Sequence, residues 1–141
     1  MSDIRKYTYL TDDARYIRTK VFVDEQSFRN EFDDKDDKAV HFVMYNEADE
    51  PVATCRVYEG ADKGCFIFGR IAVIKEYRGL GLGSEMLLEA EDTVRKMGAK
   101  VLMLHAQCRV VKFYSTLGFM ETGPSDDEEG LPHIWMQKKI R

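Results

Sequence analysis

The chain has 141 residues, 44% of them apolar and 33% charged, which suits one folded domain over residues 1–141 and excludes a disordered polymer. Its net charge of −4 and pI near 5.4 argue against the basic face of a nucleic-acid-binding protein. No run reaches the roughly 20 apolar residues of a membrane helix, residues 1–10 lack the apolar core of a signal peptide, and three scattered cysteines make no disulfide framework, so a cytoplasmic protein without membrane association is expected.

In chain order, residues 4–9 read as an edge strand. Thr11 is placed as a helix N-cap, with Asp12 and Asp13 in the first turn. Leu10, Ala14, Ile17 and Val21 keep helical spacing, which predicts a helix to about Phe22. Residues 24–38 are polar and irregular. Strands follow at Val40–Tyr45, residues 52–58 and Cys65–Val73, joined by short turns that imply an antiparallel meander. Met86, Leu87, Ala90, Val94 and Met97 then mark one helical face, with Gly98 as its stop. Residues 101–105 read as a buried strand, residues 110–117 as a short helix closed by Gly118, and residues 119–122 and 133–138 as a final strand pair around an acidic loop. The strand–helix–strand passage from residue 65 to residue 105 requires a parallel pair inside an otherwise antiparallel sheet. The expected fold class is therefore α/β of the α+β kind: a single domain with a mixed, mostly antiparallel sheet of about seven strands and helices on both faces.

The most informative stretch is GRIAVIKEYRGLGLGS, beginning at Gly69. A strand ends at Val73, and Arg78, Gly79, Leu80, Gly81, Leu82, Gly83 and Ser84 lead into a helix. Glycines there let backbone approach a ligand, and the first helical N–H groups have no internal partner, so the turn is an anion site suited to phosphate. A phosphate-binding loop ending in Gly-Lys-Ser/Thr is absent. A dinucleotide fingerprint fails too: its third glycine is one position early, and Leu102-Met103-Leu104-His105 stands where an acidic residue is needed.

Arg78-x-x-Gly81-x-Gly83 is similar to the pyrophosphate motif Q/R-x-x-G-x-G/A of the GNAT acetyltransferase superfamily. QCRVVKFYSTLGF, from Gln107 to Phe119, resembles the family's second hallmark, N-x-x-A-x-x-F-Y…L-G-F, with Gln107 for Asn and Val110 for Ala. VFVDEQ, from Val21, and GLPH, from Gly130, resemble a subgroup of small bacterial members of undefined substrate.

The resemblance implies a GNAT-like fold and an acetyl-CoA-dependent N-acetyltransferase, with a small-molecule amine as partner and homodimerisation left open. It implies that Ile71, Ala72 and Val73 line a splayed strand, often bulged, that binds pantetheine through its backbone, and that one N–H, here assigned to Val73, polarises the acetyl carbonyl. It places Gln107 on the pantetheine and Tyr114 beside the CoA sulfur as general acid. A phenol is protonated at neutral pH and able to donate to a thiolate.

For the base, Glu25 is the first candidate, since it lies where the family forms its acceptor wall; His41, His105, His133 or a water chain are alternatives. Arg70 lies between apolar neighbours and is read either as an outward residue or as an inward one bound to an acidic acceptor or to Glu25. Residues 33–37 and 126–129 read as solvated acidic loops, since the first lacks the glycine and glutamate of a calcium loop. Cys108 with His105 is too small a set for a metal site, so no metal is expected. A non-catalytic acetyl-CoA sensor is the alternative function, and a nucleotide-binding domain a weaker one.

Overall fold

In the computed structural model, which describes residues 3–29 and 31–140, one mixed sheet carries the molecule. The chain runs β1 (Asp3–Tyr7), α1 (Asp12–Arg18), β2 (Val40–Tyr45), β3 (Pro51–Glu59), β4 (Cys65–Val73), α2 (Leu82–Lys96), β5 (Val101–Gln107), α3 (Val111–Thr116), β6 (Met120–Glu121), β7 (Asp126–Glu128) and β8 (Leu131–Lys139). The strand order is β1-β2-β3-β4-β5-β8-β6, with β7 also paired to β8. Only β4 and β5 pair in parallel among the described residues, joined through α2 as the strand–helix–strand reading requires.

The strands sort their side chains between two cores. Phe42, Met44, Phe66, Phe68, Leu102 and Leu104 face α2 and α3, where Met86, Leu87, Ala90, Val94 and Tyr114 meet them. Val43, Tyr45, Ala72 and Ile74 face the other way, onto Ala14 and Ile17 of α1 and onto Phe22 and Phe28 beyond it. Alternation along each strand produces this division, so helices cover both faces.

Three regions depart from the sequence reading. α1 is capped by Thr11, whose hydroxyl accepts from Ala14 N–H at 3.1 Å, but its last turns loosen into a π-helical stretch, Thr19–Glu25. Residues 33–37 are not simply a solvated loop: Asp34–Asp37 is a 3-10 turn with a capping box from Asp33, and Asp36 is buried. Residues 126–129 are not free either, because β7 lies in them and pairs with β8, making the sheet eight-stranded. The predicted face of α2 holds except at Met97, which caps the helix end and is exposed.

Candidate active site

The parallel ladder between β4 and β5 runs from Cys65↔Val101 only to Phe68↔Leu104. Beyond it β5 continues against β8, while β4 stays with β3. A bulge directs this parting: Gly69 pairs with Arg56 and Ala72 with Thr54, so Arg70 and Ile71 together oppose Cys55. Arg70 takes a left-handed backbone, φ 52°, a strained conformation worth about 1 kcal/mol or more. The extra residue flips the following side chains, so Ile71 and Val73 pack toward α2 while Ala72 and Ile74 join the α1 core. Between the diverging strands opens a cavity of about 660 Å3, reached by residues of both faces.

On the α2/α3 face the glycine turn borders this cavity. Gly79 and Gly81 have φ of 82° and 78°, where an L side chain is strained. A Cβ at either would meet nothing within 4 Å, so the turn is open above. The bond from Glu85 N–H to Gly81 O, 3.2 Å, is the first of α2, leaving the amides of Leu82, Gly83 and Ser84 without an intrahelical acceptor. Arg78, Gly79 and Gly83 line the cavity; Leu80, Gly81, Leu82 and Ser84 lie outside its lining. Amides grouped this way at an open helix start suit an anion such as a diphosphate.

Backbone polarity in the wedge follows from the ladder. Ile74 N–H donates to Val52 O at 2.9 Å, so alternation turns the amide and carbonyl of Val73 away from β3, toward the parting. The Val73 carbonyl accepts from Arg78 Nε at 2.9 Å, as that orientation requires. Tyr114 lines the cavity and is 6% exposed; burial pushes its phenol well above the ordinary range, so it stays protonated. Gln107 is held from both sides: its amide donates to Gln26 at 2.8 Å, and its oxygen accepts from Arg109 Nε at 2.8 Å.

On the α1 face a charged cluster lies behind the wall, and of its members only Arg70 lines the cavity. Arg18 and Glu31 are 1% and 2% exposed, and their side chains meet at 2.9 Å. Arg18 and Arg56 both bond Asp36, at 2.8 and 2.7 Å. Burial alone would raise the Asp36 carboxyl, but these two arginines outweigh it and hold it down at about 2. Glu31 is pushed up by its burial in spite of Arg70 and Arg18. Arg70 turns inward, to Glu31 at 3.2 Å and Asp33 at 3.3 Å, and not to Glu25. Glu25 instead bonds Arg78, at 2.8 and 3.1 Å, across the cavity rim.

The histidines divide by their partners. His41 is buried on β2 with Nε2 against Asp36 O at 2.9 Å, and it is not part of the cavity wall. His105 and His133 line the cavity with rings stacked at 4.8 Å. His105 faces Glu128 at 2.9 Å and Asp126 at 2.7 Å, one carboxylate on each nitrogen. Among the described residues no cluster suits a metal ion, and no helix is long and apolar enough to cross a membrane.

The acetyltransferase (GNAT) domain family matches residues 10–140. The chain belongs to the GNAT acetyltransferase family. It is 32% identical to the uncharacterized protein YyaT of Bacillus subtilis, over 98% of this chain and 96% of that one. It is 31% identical to the uncharacterized N-acetyltransferase YjcF of the same organism, over 89% and 90%. Among solved structures, a Lactobacillus plantarum protein superposes with a TM-score of 0.90 at 31% identity, covering 99% of both chains. Escherichia coli ElaA superposes with 0.86 at 26% identity, covering 98% of this chain and 99% of that one. The eight-stranded α+β sheet is thus the GNAT fold, and the chain is an acyltransferase of that family.

Sequence reasoning missed Gln26, Arg109 and the Arg18–Glu31–Asp36–Arg56 cluster. Arg56, in the middle of a mostly apolar strand, was the available signal.

Proposed function

We propose that this GNAT protein transfers the acetyl group of acetyl-CoA to the amine of a small-molecule acceptor, by direct attack of the amine on the thioester. The observation that carries this reading is the wedge where β4 leaves β5, with a glycine turn on one side, a buried tyrosine beside it, and a lining drawn from both faces of the sheet.

In this reading the diphosphate lies on the amides at residues 81–84, over the open turn of Gly79, Leu80, Gly81, Leu82, Gly83 and Ser84, with Arg78 at the rim. The guanidinium of Arg78 keeps unused N–H donors for an anion after bonding Glu25 and Val73 O. Pantetheine follows Ile71, Ala72 and Val73, with Gln107 across the wedge. Val73 N–H polarises the acetyl oxygen where charge develops. Tyr114 donates its proton to the departing thiolate. Glu25, bonded to Arg78, fixes the mouth through that pair; its carboxylate is already engaged.

Holding thioester and amine together from opposite faces of the sheet supplies much of the rate. The unpaired cysteines Cys55, Cys65 and Cys108 agree with the cytoplasmic setting read from composition. The test is release of free thiol from acetyl-CoA across an amine panel. Amine-dependent release supports the reading. Tight CoA binding with no release for any amine would make the protein a sensor.

A further inference from the structure

The direct-attack reading needs an acceptor for the amine proton, and one side chain on the α1 face is built for it. His133 is 3% exposed yet lines the cavity. It stands on β8 opposite Gln107, the last residue of β5, beyond the point where β4 has left the sheet pairing. Its neighbours Ile134 and Met136 enter the core under α2 and α3, so His133 points to the other face, away from Tyr114.

The hydrogen bonding of His133 fixes its tautomer. Nδ1 lies 2.9 Å from the Leu131 carbonyl oxygen, which can only accept. Nδ1 therefore carries the proton of the neutral ring, and Nε2 presents a lone pair. The competing groups are committed: His105 has a carboxylate on each nitrogen, Glu25 is bonded to Arg78, and His41 is elsewhere. His105 also stacks on His133 at 4.8 Å and fixes its plane.

We propose, on the acyl-transfer reading above, that His133 Nε2 is the general base for the acceptor amine. The amine nitrogen forms the C–N bond at the thioester carbonyl carbon while the C–S bond breaks. The amine proton passes to His133 Nε2, and the thiolate takes the Tyr114 phenol proton. Solvent then carries a proton from His133 to Tyr114, so thioester and amine become amide and thiol. Titratable and charged groups around His133 are His105 on β5, Asp126 and Glu128 on β7, Arg70 on β4, and Arg109 after β5, with the Glu25–Arg78 pair at the rim.

The test compares wild type with His133→Gln and His133→Ala, using acetyl-CoA with n-butylamine, whose nitrogen holds its proton strongly after attack, and with hydroxylamine, whose nitrogen is then far more acidic and needs less help from a base. The proposal expects kcat/KM with n-butylamine to fall about 100-fold or more in both variants, while CoA affinity holds. Hydroxylamine turnover should fall much less. Equal losses with both nucleophiles would overturn the base assignment but leave acyl transfer standing. Failure of wild type with both nucleophiles would count against acyl transfer itself. Nitrogen NMR of the wild-type imidazoles gives a second readout that needs no turnover: His133 should be the Nδ1–H tautomer at about pH 8, and an Nε2–H tautomer would overturn the proposal.

Discussion

The two sides of the wedge are built on opposite principles. On the α2/α3 side the wall is apolar side chains, left-handed glycines and backbone amides, drawn from two stretches of chain, 68–83 and 104–114. On the α1 side the wall rests on buried ion pairs among Arg18, Glu31, Asp36, Arg56 and Arg70, drawn from a helix, a loop and two strands. The first side depends on backbone conformation, which local sequence sets. The second depends on charge pairing between distant residues, which costs desolvation and gives a fixed geometry in return. Variants of the first side should therefore strike cofactor affinity, and variants of the second should strike stability and acceptor use.

A large effect is expected where that division is sharpest. Gly81→Val forces a branched side chain into φ 78° at the start of α2, and CoA affinity by calorimetry should drop about 100-fold, near 2.7 kcal/mol, in a protein still folded by circular dichroism. On the other side, Arg18→Met removes one arginine from buried Glu31 and Asp36 and leaves them to Arg70 and Arg56 alone. A loss of about 3–5 kcal/mol is expected, seen as a Tm lower by about 10 °C or more, with CoA affinity of the remaining folded protein little changed. Tyr114→Phe should reduce turnover by roughly 10- to 100-fold with CoA affinity within about twofold, because only the phenol proton is removed.

Acid should find the charged side first. The Asp36 carboxyl is held at about 2, below its ordinary value of 3.8, so its pairing stabilises the fold above about pH 4. That contribution is lost as pH falls from about 4 through 2 and the carboxylate binds a proton. The wild-type Tm should decline over that window, and Asp36→Asn, already less stable at neutral pH, should decline less. The smallest effect is expected for Glu25→Gln, which loosens the Arg78 contact at the rim. A change in kcat/KM below about fivefold is predicted, and a loss on the scale of general-base removal would return the base role to Glu25.

This contrast also explains how much of the fold and site is legible in the sequence. The meander, the helix from Leu82, its stop at Gly98 and the parallel crossover follow from periodicity and glycine placement, which are local signals. The same holds for the glycine turn and for Tyr114, since contiguous motifs carry them. β7 was hidden because Asp126–Glu128 has no apolar residue; it is a strand through pairing with β8 and through its carboxylates on His105. The burial of Asp36 was hidden for a similar reason, because a run of aspartates looks solvated until Arg18 and Arg56 arrive from elsewhere in the chain. Arg70 was legible as an anomaly, but its partners lie 37 and 39 residues away, at Asp33 and Glu31.

The most direct test of the central claim is a crystal structure of the protein with coenzyme A. The diphosphate should lie on the amides at the start of α2, with pantetheine between Val73 and Gln107 and the sulfur within hydrogen-bond reach of the Tyr114 hydroxyl. Coenzyme A bound outside the opening between β4 and β5, or with its sulfur remote from Tyr114, would contradict it.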